Sequence, residues 1–337
     1  MKDHVNIPIF IPHLGCPHAC VFCNQKKISG HDKADFSSVD GEIKAALETV
    51  DASQDAQIAF FGGSFTGIPR DDMIYLLETA KKYIDGGKVS SIRLSTRPDY
   101  IDDEILGILK KYKVKTIELG LQSMRDEVLA ATERGHTVEC AEKACRLVKK
   151  YGFELIGQMM TGLPSSSAED DIYTAKRICE LCDGARIYPT VVFYGTKLCE
   201  MAQSGEYKMP SMEELVSRTV GALREFVKAG VPVIRVGLQS SDGVLDEENV
   251  YSDTYHPAIG EICYSRLYRE IIDEKMPRGA RDATIFVSEK NVSKATGQKG
   301  ENKKYFKEKY GLRSVKIAPD ASISGFNVKI ITQEKLQ

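Results

Sequence analysis

Short apolar runs alternate along the chain with longer amphipathic stretches. The runs Ile7–Ile11, Gln57–Phe61, Ser91–Ser95, Lys115–Leu119, Phe153–Met160 and Ala185–Tyr188 have the length and composition of strands. Between and after them, Gly41–Val50, Asp71–Ile84, Asp102–Tyr112, Val138–Tyr151, Ala168–Cys182 and Glu213–Ala229 carry apolar positions at helical spacing. Six β-then-α units in succession predict a parallel sheet covered by helices, either an open doubly wound sheet or a curved partial barrel. The strands are nearly continuously apolar, as strands buried on both faces should be. Several end in glycine, polar or charged residues, such as Gly62-Gly63-Ser64, Thr96-Arg97 and Gly120-Leu121-Gln122. In parallel α/β folds the working face lies at those ends.

The pattern changes after Ala229. Val231–Val236 reads as one more strand and Gly237–Thr254 as a loop. A helix is expected over Glu261–Lys275 and another near Asn302–Tyr310. Ala283–Val287, Ser314–Ile317 and Phe326–Ile331 read as short strands. The division expected is a barrel over residues 1–252 and a small α+β appendage over residues 253–337.

Charge adds little at the scale of the whole chain, because 46 Lys and Arg against 48 Asp and Glu leave a net of −2. Ser288–Lys316 is locally basic, with nine cations and three anions. Tyr305, Phe306 and Tyr310 are interleaved there, a composition that suits either RNA contact or a solvated helix with its aromatic side in the core. No apolar run approaches the roughly 18 residues of a membrane span, and the N-terminus lacks signal-peptide character. The expectation is a cytoplasmic protein with no membrane partner.

The nine cysteines are unevenly spread. Three fall within eight residues, in Cys16-Pro17-His18-Ala19-Cys20-Val21-Phe22-Cys23, directly after the first strand. Three thiolates this close select zinc, Cu(I) or an iron–sulfur cluster. Zinc in a structural site needs a fourth ligand, for which His13 and His18 are at hand. A [4Fe-4S] cluster held by three thiolates leaves one iron open to a chelating ligand. Incidental buried cysteines are the third reading. Elsewhere, Cys179 and Cys182 read as helix packing, and His256 as part of a helix start.

Cys16, Cys20 and Cys23 on the loop after the first strand of a βα series resemble the radical S-adenosylmethionine (SAM) superfamily. That resemblance implies a partial (β/α)6 TIM-like barrel. It also implies a [4Fe-4S] cluster on those three cysteines, whose open iron is chelated by SAM. Reduction by an external electron donor then cleaves SAM to a 5′-deoxyadenosyl radical. Further residues take roles by the same resemblance. Phe22 matches an aromatic near the adenine, with plain packing as its alternative. Gly62, Gly63 and Ser64 match the glycine-rich motif that holds the SAM amino group. Gln122 lies beside the cofactor, Arg134 pairs with the SAM carboxylate, and Gln158 stands at a ribose-binding position. Tyr188 would line the path of the radical.

Longer strings narrow the likeness. Ile11-Pro12-His13-Leu14-Gly15-Cys16-Pro17-His18, Phe61-Gly62-Gly63-Ser64-Phe65-Thr66, Ser95-Thr96-Arg97-Pro98-Asp99, Glu118-Leu119-Gly120-Leu121-Gln122-Ser123 and Arg186-Ile187-Tyr188-Pro189-Thr190 are similar to the Elongator catalytic-subunit family, over about residues 7–235. The family modifies wobble uridine in tRNA, so tRNA or another RNA is the implied substrate. The roughly 85 residues after residue 252 are too few for that family's acetyltransferase domain beside the closing elements of the barrel. The chain therefore reads as a short relative that shares the radical engine. Two alternatives stand beside it: a radical SAM enzyme acting on a small metabolite such as a tetrapyrrole, and a non-enzymatic, zinc-stapled nucleic-acid-binding protein.

Overall fold

The computed structural model describes residues 4–11, 16, 20–23, 36–51, 54–238 and 248–334. Seven parallel strands stand side by side in chain order: β1 (His4–Ile11), β2 (Asp55–Gly62), β3 (Ser91–Thr96), β4 (Val114–Gln122), β5 (Glu154–Thr161), β6 (Gly184–Pro189) and β7 (Val233–Val236). Among the described residues β1 and β7 do not pair, and the sheet curls into an open half-barrel. The expected partial barrel is what forms, with a seventh strand where Val231–Val236 suggested one.

The helices of the barrel are α1 (Val39–Leu47), α2 (Arg70–Asp85), α3 (Asp103–Lys111), α4 (Asp126–Ala131), α5 (Val138–Lys150), α6 (Ala168–Leu181), α7 (Lys197–Ser204) and α8 (Met212–Ala229). Their starts are fixed by side chains that satisfy the first free N–H groups. Asp102 accepts from Ile105 N at 2.7 Å, Thr137 from Cys140 N at 3.2 Å, and Ser167 forms a reciprocal capping box with Asp170. Each such cap contributes about 1 kcal/mol.

Strand alternation separates two environments. Ile92 and Leu94 of β3, Ile117, Leu119 and Leu121 of β4, and Ala185 and Ile187 of β6 join the apolar core beneath the helices. The intervening positions, Arg93, Glu118 and Arg186, face the concave side. One face of each strand thus builds stability and the other carries chemistry.

Beyond the barrel come α9 (Ile259–Lys275), β8 (Ala280–Val287), α10 (Val292–Thr296), α11 (Glu301–Tyr310), β9 (Ser314–Pro319) and β10 (Val328–Glu334). They form a small sheet with β8 central, parallel to β9 and antiparallel to β10. Helix α9 belongs to both cores. Ile259, Cys263 and Leu267 pack with the barrel, while Tyr268, Ile272 and Met276 pack with the small sheet. The helix thereby ties the appendage to the barrel. His256 accepts from Ala258 N at 3.0 Å, just before this helix.

The aromatics of the basic segment turn inward. Phe306 is fully buried, and the Tyr305 and Tyr310 hydroxyls donate to Asp273 of α9 at 2.7 and 2.9 Å. The packing alternative, not base stacking, describes these three rings. Among the described residues no helix is long and apolar enough to cross a membrane.

Candidate active site

The residues singled out by the sequence gather at the C-terminal ends of β1, β2 and β4. Cys16 is half-buried, and its thiol donates to Ser64 Oγ at 3.7 Å. Cys20 is 7% exposed, and its sulfur accepts from Arg134 Nη1 at 3.4 Å. Cys23 N donates to the Cys20 carbonyl at 3.0 Å, which turns the chain between them. All three are free of disulfides. Among the described residues, no three Cys, His, Asp or Glu side chains are grouped closely enough to hold a metal ion. Cys16 and Cys20 are each engaged with a separate neighbour.

Phe22 packs against the cluster of Val21, Val192, Leu198, Cys199, Met201 and Tyr207. Val21 also bonds through its backbone to Thr132 and Leu198, at 3.2 and 2.8 Å. This end of the cysteine loop is therefore pinned between the last residues of α4 and the start of α7.

The glycine-rich turn after β2 is shaped by close approach. Gly62 has φ +104°, and a Cβ there would lie 2.6 Å from the Ile11 carbonyl. Only glycine suits both the angle and the space. Gly63 N donates to the same carbonyl at 3.0 Å, so the turn is stitched to the end of β1 from which the cysteine loop departs. Phe65, stacked on Phe60 with centroids 4.7 Å apart, anchors the far side in the core.

At the end of β4, Gln122 adopts φ +64°, a strained setting for a residue with a side chain. Among the described residues its buried Oε1 has no hydrogen-bond partner, and neither does Arg134 Nε. Arg134 Nη2 donates to the Gly120 carbonyl at 2.8 Å. A Cβ on Gly120 would approach Nη2 to 2.6 Å, so a glycine at this position lets the guanidinium lie against the strand. Arg134 is buried and meets both β4 and Cys20. It is not part of a surface ion pair.

Behind Arg134 stands Arg97, 2% exposed. It donates through Nη2 to the Arg134 carbonyl at 2.6 Å and makes a two-bond pair with Asp99 at 2.9 Å for each bond. Burial alone would raise the Asp99 pKa, but the Arg97 bonds and charge outweigh it and hold the carboxyl below its ordinary range. His136 is buried beside this pair, and neither ring nitrogen has a hydrogen-bond partner. Burial, then the Arg134 charge, pushes its pKa down to about 3.

Deeper in the half-barrel, Glu118 of β4 is 2% exposed between two guanidinium groups. Arg93 Nη1 donates to its Oε1 at 3.0 Å, and Arg186 Nη2 to the same oxygen at 3.1 Å. Tyr188, two residues beyond Arg186 on β6, is half-buried and hydrogen-bonded to Arg186. Burial raises its pKa, with Arg186 opposing and Glu118 adding. Gln158 stands in register with Gly120 on one side and Arg186 on the other.

The sequence matches the radical SAM superfamily model over residues 10–178, half of the chain, and a radical SAM C-terminal domain over residues 182–269. The chain belongs to the radical SAM superfamily. It is therefore an enzyme, which removes the non-enzymatic zinc alternative. A protein of Methanocaldococcus jannaschii described as uncharacterized is 29% identical over 82% of this chain and 86% of its own length. Elongator complex protein 3 of Saccharomyces cerevisiae is 29% identical over 54% of this chain and 36% of its own. The tRNA uridine(34) acetyltransferase of Methanocaldococcus infernus is 36% identical over 42% of this chain and 27% of its own. The chain thus spans a minor part of these Elongator-type relatives. Among solved structures, the archaeal Elp3 of Methanocaldococcus infernus superposes with a TM-score of 0.62 at 22% identity, over 82% of this chain and 64% of that one, a likeness of fold.

Within this radical SAM barrel, Arg93, Arg97 and Arg235 are interior cations to which no motif assigns a role. Their signal was present as single charges set at or inside apolar strands, in Ser91-Ile92-Arg93-Leu94, Thr96-Arg97 and Val233-Ile234-Arg235-Val236. A charge in such a strand needs a buried partner or a ligand.

Proposed function

We propose that this radical SAM enzyme holds a [4Fe-4S] cluster on Cys16, Cys20 and Cys23 and modifies RNA, most directly tRNA. The observation that carries the reading is Arg134, buried against Cys20 with one guanidinium nitrogen unpartnered among the described residues, beside the run that holds the three cysteines. The donor set fits the cluster by its chemistry, since Cys16, Cys20 and Cys23 lie in no disulfide, supply soft ligands and leave one metal corner without a protein ligand, and ligation would draw together side chains that are not grouped here. Cys16, Cys20 and Cys23 would hold the cluster, which would leave the Ser64 hydroxyl and an edge of the Arg134 guanidinium open to other partners. When bound, the cluster and SAM supply a one-electron cleavage that yields the 5′-deoxyadenosyl radical.

The chain's own residues position SAM. Arg134, braced from behind by Arg97, presents a planar donor pair suited to a carboxylate. The Gly62-Gly63-Ser64 backbone offers close approach to the amino group, and Gln122 has an unused acceptor at the end of β4. Gln158 is assigned to the ribose and Tyr188 to the route toward substrate. Phe22, held in its apolar cluster, shields the cysteine loop. An electron donor outside the chain completes the system.

The RNA assignment draws on the similarity to Elongator complex protein 3 and to the tRNA uridine(34) acetyltransferase. The test is a comparison of modified nucleosides, by mass spectrometry, in tRNA from cells with and without this gene. The expected result is one nucleoside modification lost on deletion and restored by the intact gene but not by a Cys20→Ala copy. Identical nucleoside profiles would remove tRNA as the substrate.

A further inference from the structure

The concave side of the half-barrel carries arginines from three strands. Arg93, Arg186 and Arg235 come from β3, β6 and β7. Arg186 and Arg235 are in register on neighbouring strands. Of the three, Arg93 and Arg186 pair with Glu118, while Arg235 forms no ion pair among the described residues. Arg93 and Arg186 share Glu118, and Glu154 on the same face of β5 accepts from Thr116 Oγ1, so among the described residues the Arg235 guanidinium is left without a carboxylate partner. Unneutralised charge is costly away from water, so a fold keeps it where a ligand or solvent supplies the balance.

The surroundings favour a ligand. The Arg186 guanidinium carbon lies 5.5 Å from the Phe61 ring centroid, which limits the side chain's freedom. Burial raises the Tyr188 pKa and the neighbouring Arg186 charge opposes it, so the phenol stays protonated and able to donate. The Gln158 side chain, in register with Arg186, makes no hydrogen bond among the described residues. Arg186, Arg235, Tyr188 and Gln158 together offer several donors on one wall, one layer above the Glu118 pair.

We propose that this wall binds an anionic group of the substrate, a carboxylate or a phosphate, clamped by Arg186 and Arg235 with Tyr188 as a further donor. This deepens the function proposed above, on which it rests for the identity of the ligand as substrate. Guanidinium pairs match both oxyanions by parallel hydrogen bonds, so the chemistry is shared and the source is left to experiment.

The test is isothermal titration calorimetry on the full chain purified anaerobically, with succinate, inorganic phosphate and uridine 5′-monophosphate, and with neutral succinamide and uridine as controls. At least one anion binds and both neutral compounds fail to. Binding of succinate alone assigns a carboxylate, and binding of phosphate and the nucleotide assigns a phosphate. Arg235→Gln weakens binding about tenfold, the loss of one charge-assisted bond. Arg235→Lys recovers most of it, and exposed Lys307→Gln leaves it unchanged. Because Arg235 is only half-buried and pairs with no carboxylate among the described residues, both variants should fold, which circular dichroism verifies. Equal binding of neutral and charged compounds, no binding of any anion, or wild-type affinity in Arg235→Gln would overturn the proposal. Reductive SAM cleavage by the same preparations separates the two ideas. Cleavage without anion binding sinks this one alone, and anion binding without cleavage sinks the radical reading.

Discussion

Replacing Cys20 with alanine abolishes iron loading and SAM cleavage while leaving the fold in place. The thiol is small, so truncation removes little packing. Among the described residues its sulfur accepts one hydrogen bond, from Arg134, and that arginine keeps its bond to the Gly120 carbonyl. The structural cost is about 1 kcal/mol, the loss of one such bond and a few contacts. The chemical cost is complete, because three ligands are the minimum that fixes the cluster and leaves a corner open. Iron and acid-labile sulfide, measured after anaerobic reconstitution, should fall to background in Cys20→Ala. Cys179→Ala, in α6 and distant in sequence from the loop, should load like the unaltered protein. Full loading of Cys20→Ala would remove this residue from the ligand set.

Replacing Glu118 with alanine should be the most destabilising single change in the barrel. Its carboxylate serves Arg93 and Arg186 at once, and all three are buried. Without it two guanidinium groups stand unneutralised beside β4. Breaking a buried ion pair from one side costs about 3–5 kcal/mol, a large share of the 5–15 kcal/mol that stabilises a typical domain. Urea unfolding should show a midpoint far below that of the unaltered protein, with the slope unchanged. Arg235→Gln, which breaks no ion pair, should shift the midpoint little. If Glu118→Ala unfolds at the wild-type midpoint, water must screen the two arginines and the interior is wetter than its burial indicates.

Much of the barrel was legible because burial leaves a regular mark. Both faces of a parallel strand are covered, so β2 to β6 stand out as apolar runs, and the boundaries differ from expectation by only a few residues. Helix α4 escaped because the six residues of Asp126–Ala131 do not complete two turns of amphipathic pattern. Helix α7 had its markers, the Thr196 cap and Gly205 at its end, but eight residues make little more than two turns of pattern. The site was legible as a list and not as a geometry. Spacing marks Cys16, Cys20 and Cys23 as soft donors. It does not reveal that Cys16 leans on Ser64 and Cys20 on Arg134. The brace of Arg134 by Arg97 joins residues 37 positions apart, and only the folded β3–β4 neighbourhood brings them together. The interior charges follow the same logic. Each was visible as one anomaly in one strand, whereas their summation depends on strand register.

The central claim is that the thiols of one loop, with Arg134 behind them, form a SAM-cleaving centre. Its most direct measurement is 5′-deoxyadenosine released from SAM by the anaerobically reconstituted chain after addition of dithionite. The account predicts release that requires both reductant and SAM and is lost in Cys20→Ala. A preparation with a full complement of iron and sulfide that leaves SAM intact would contradict it.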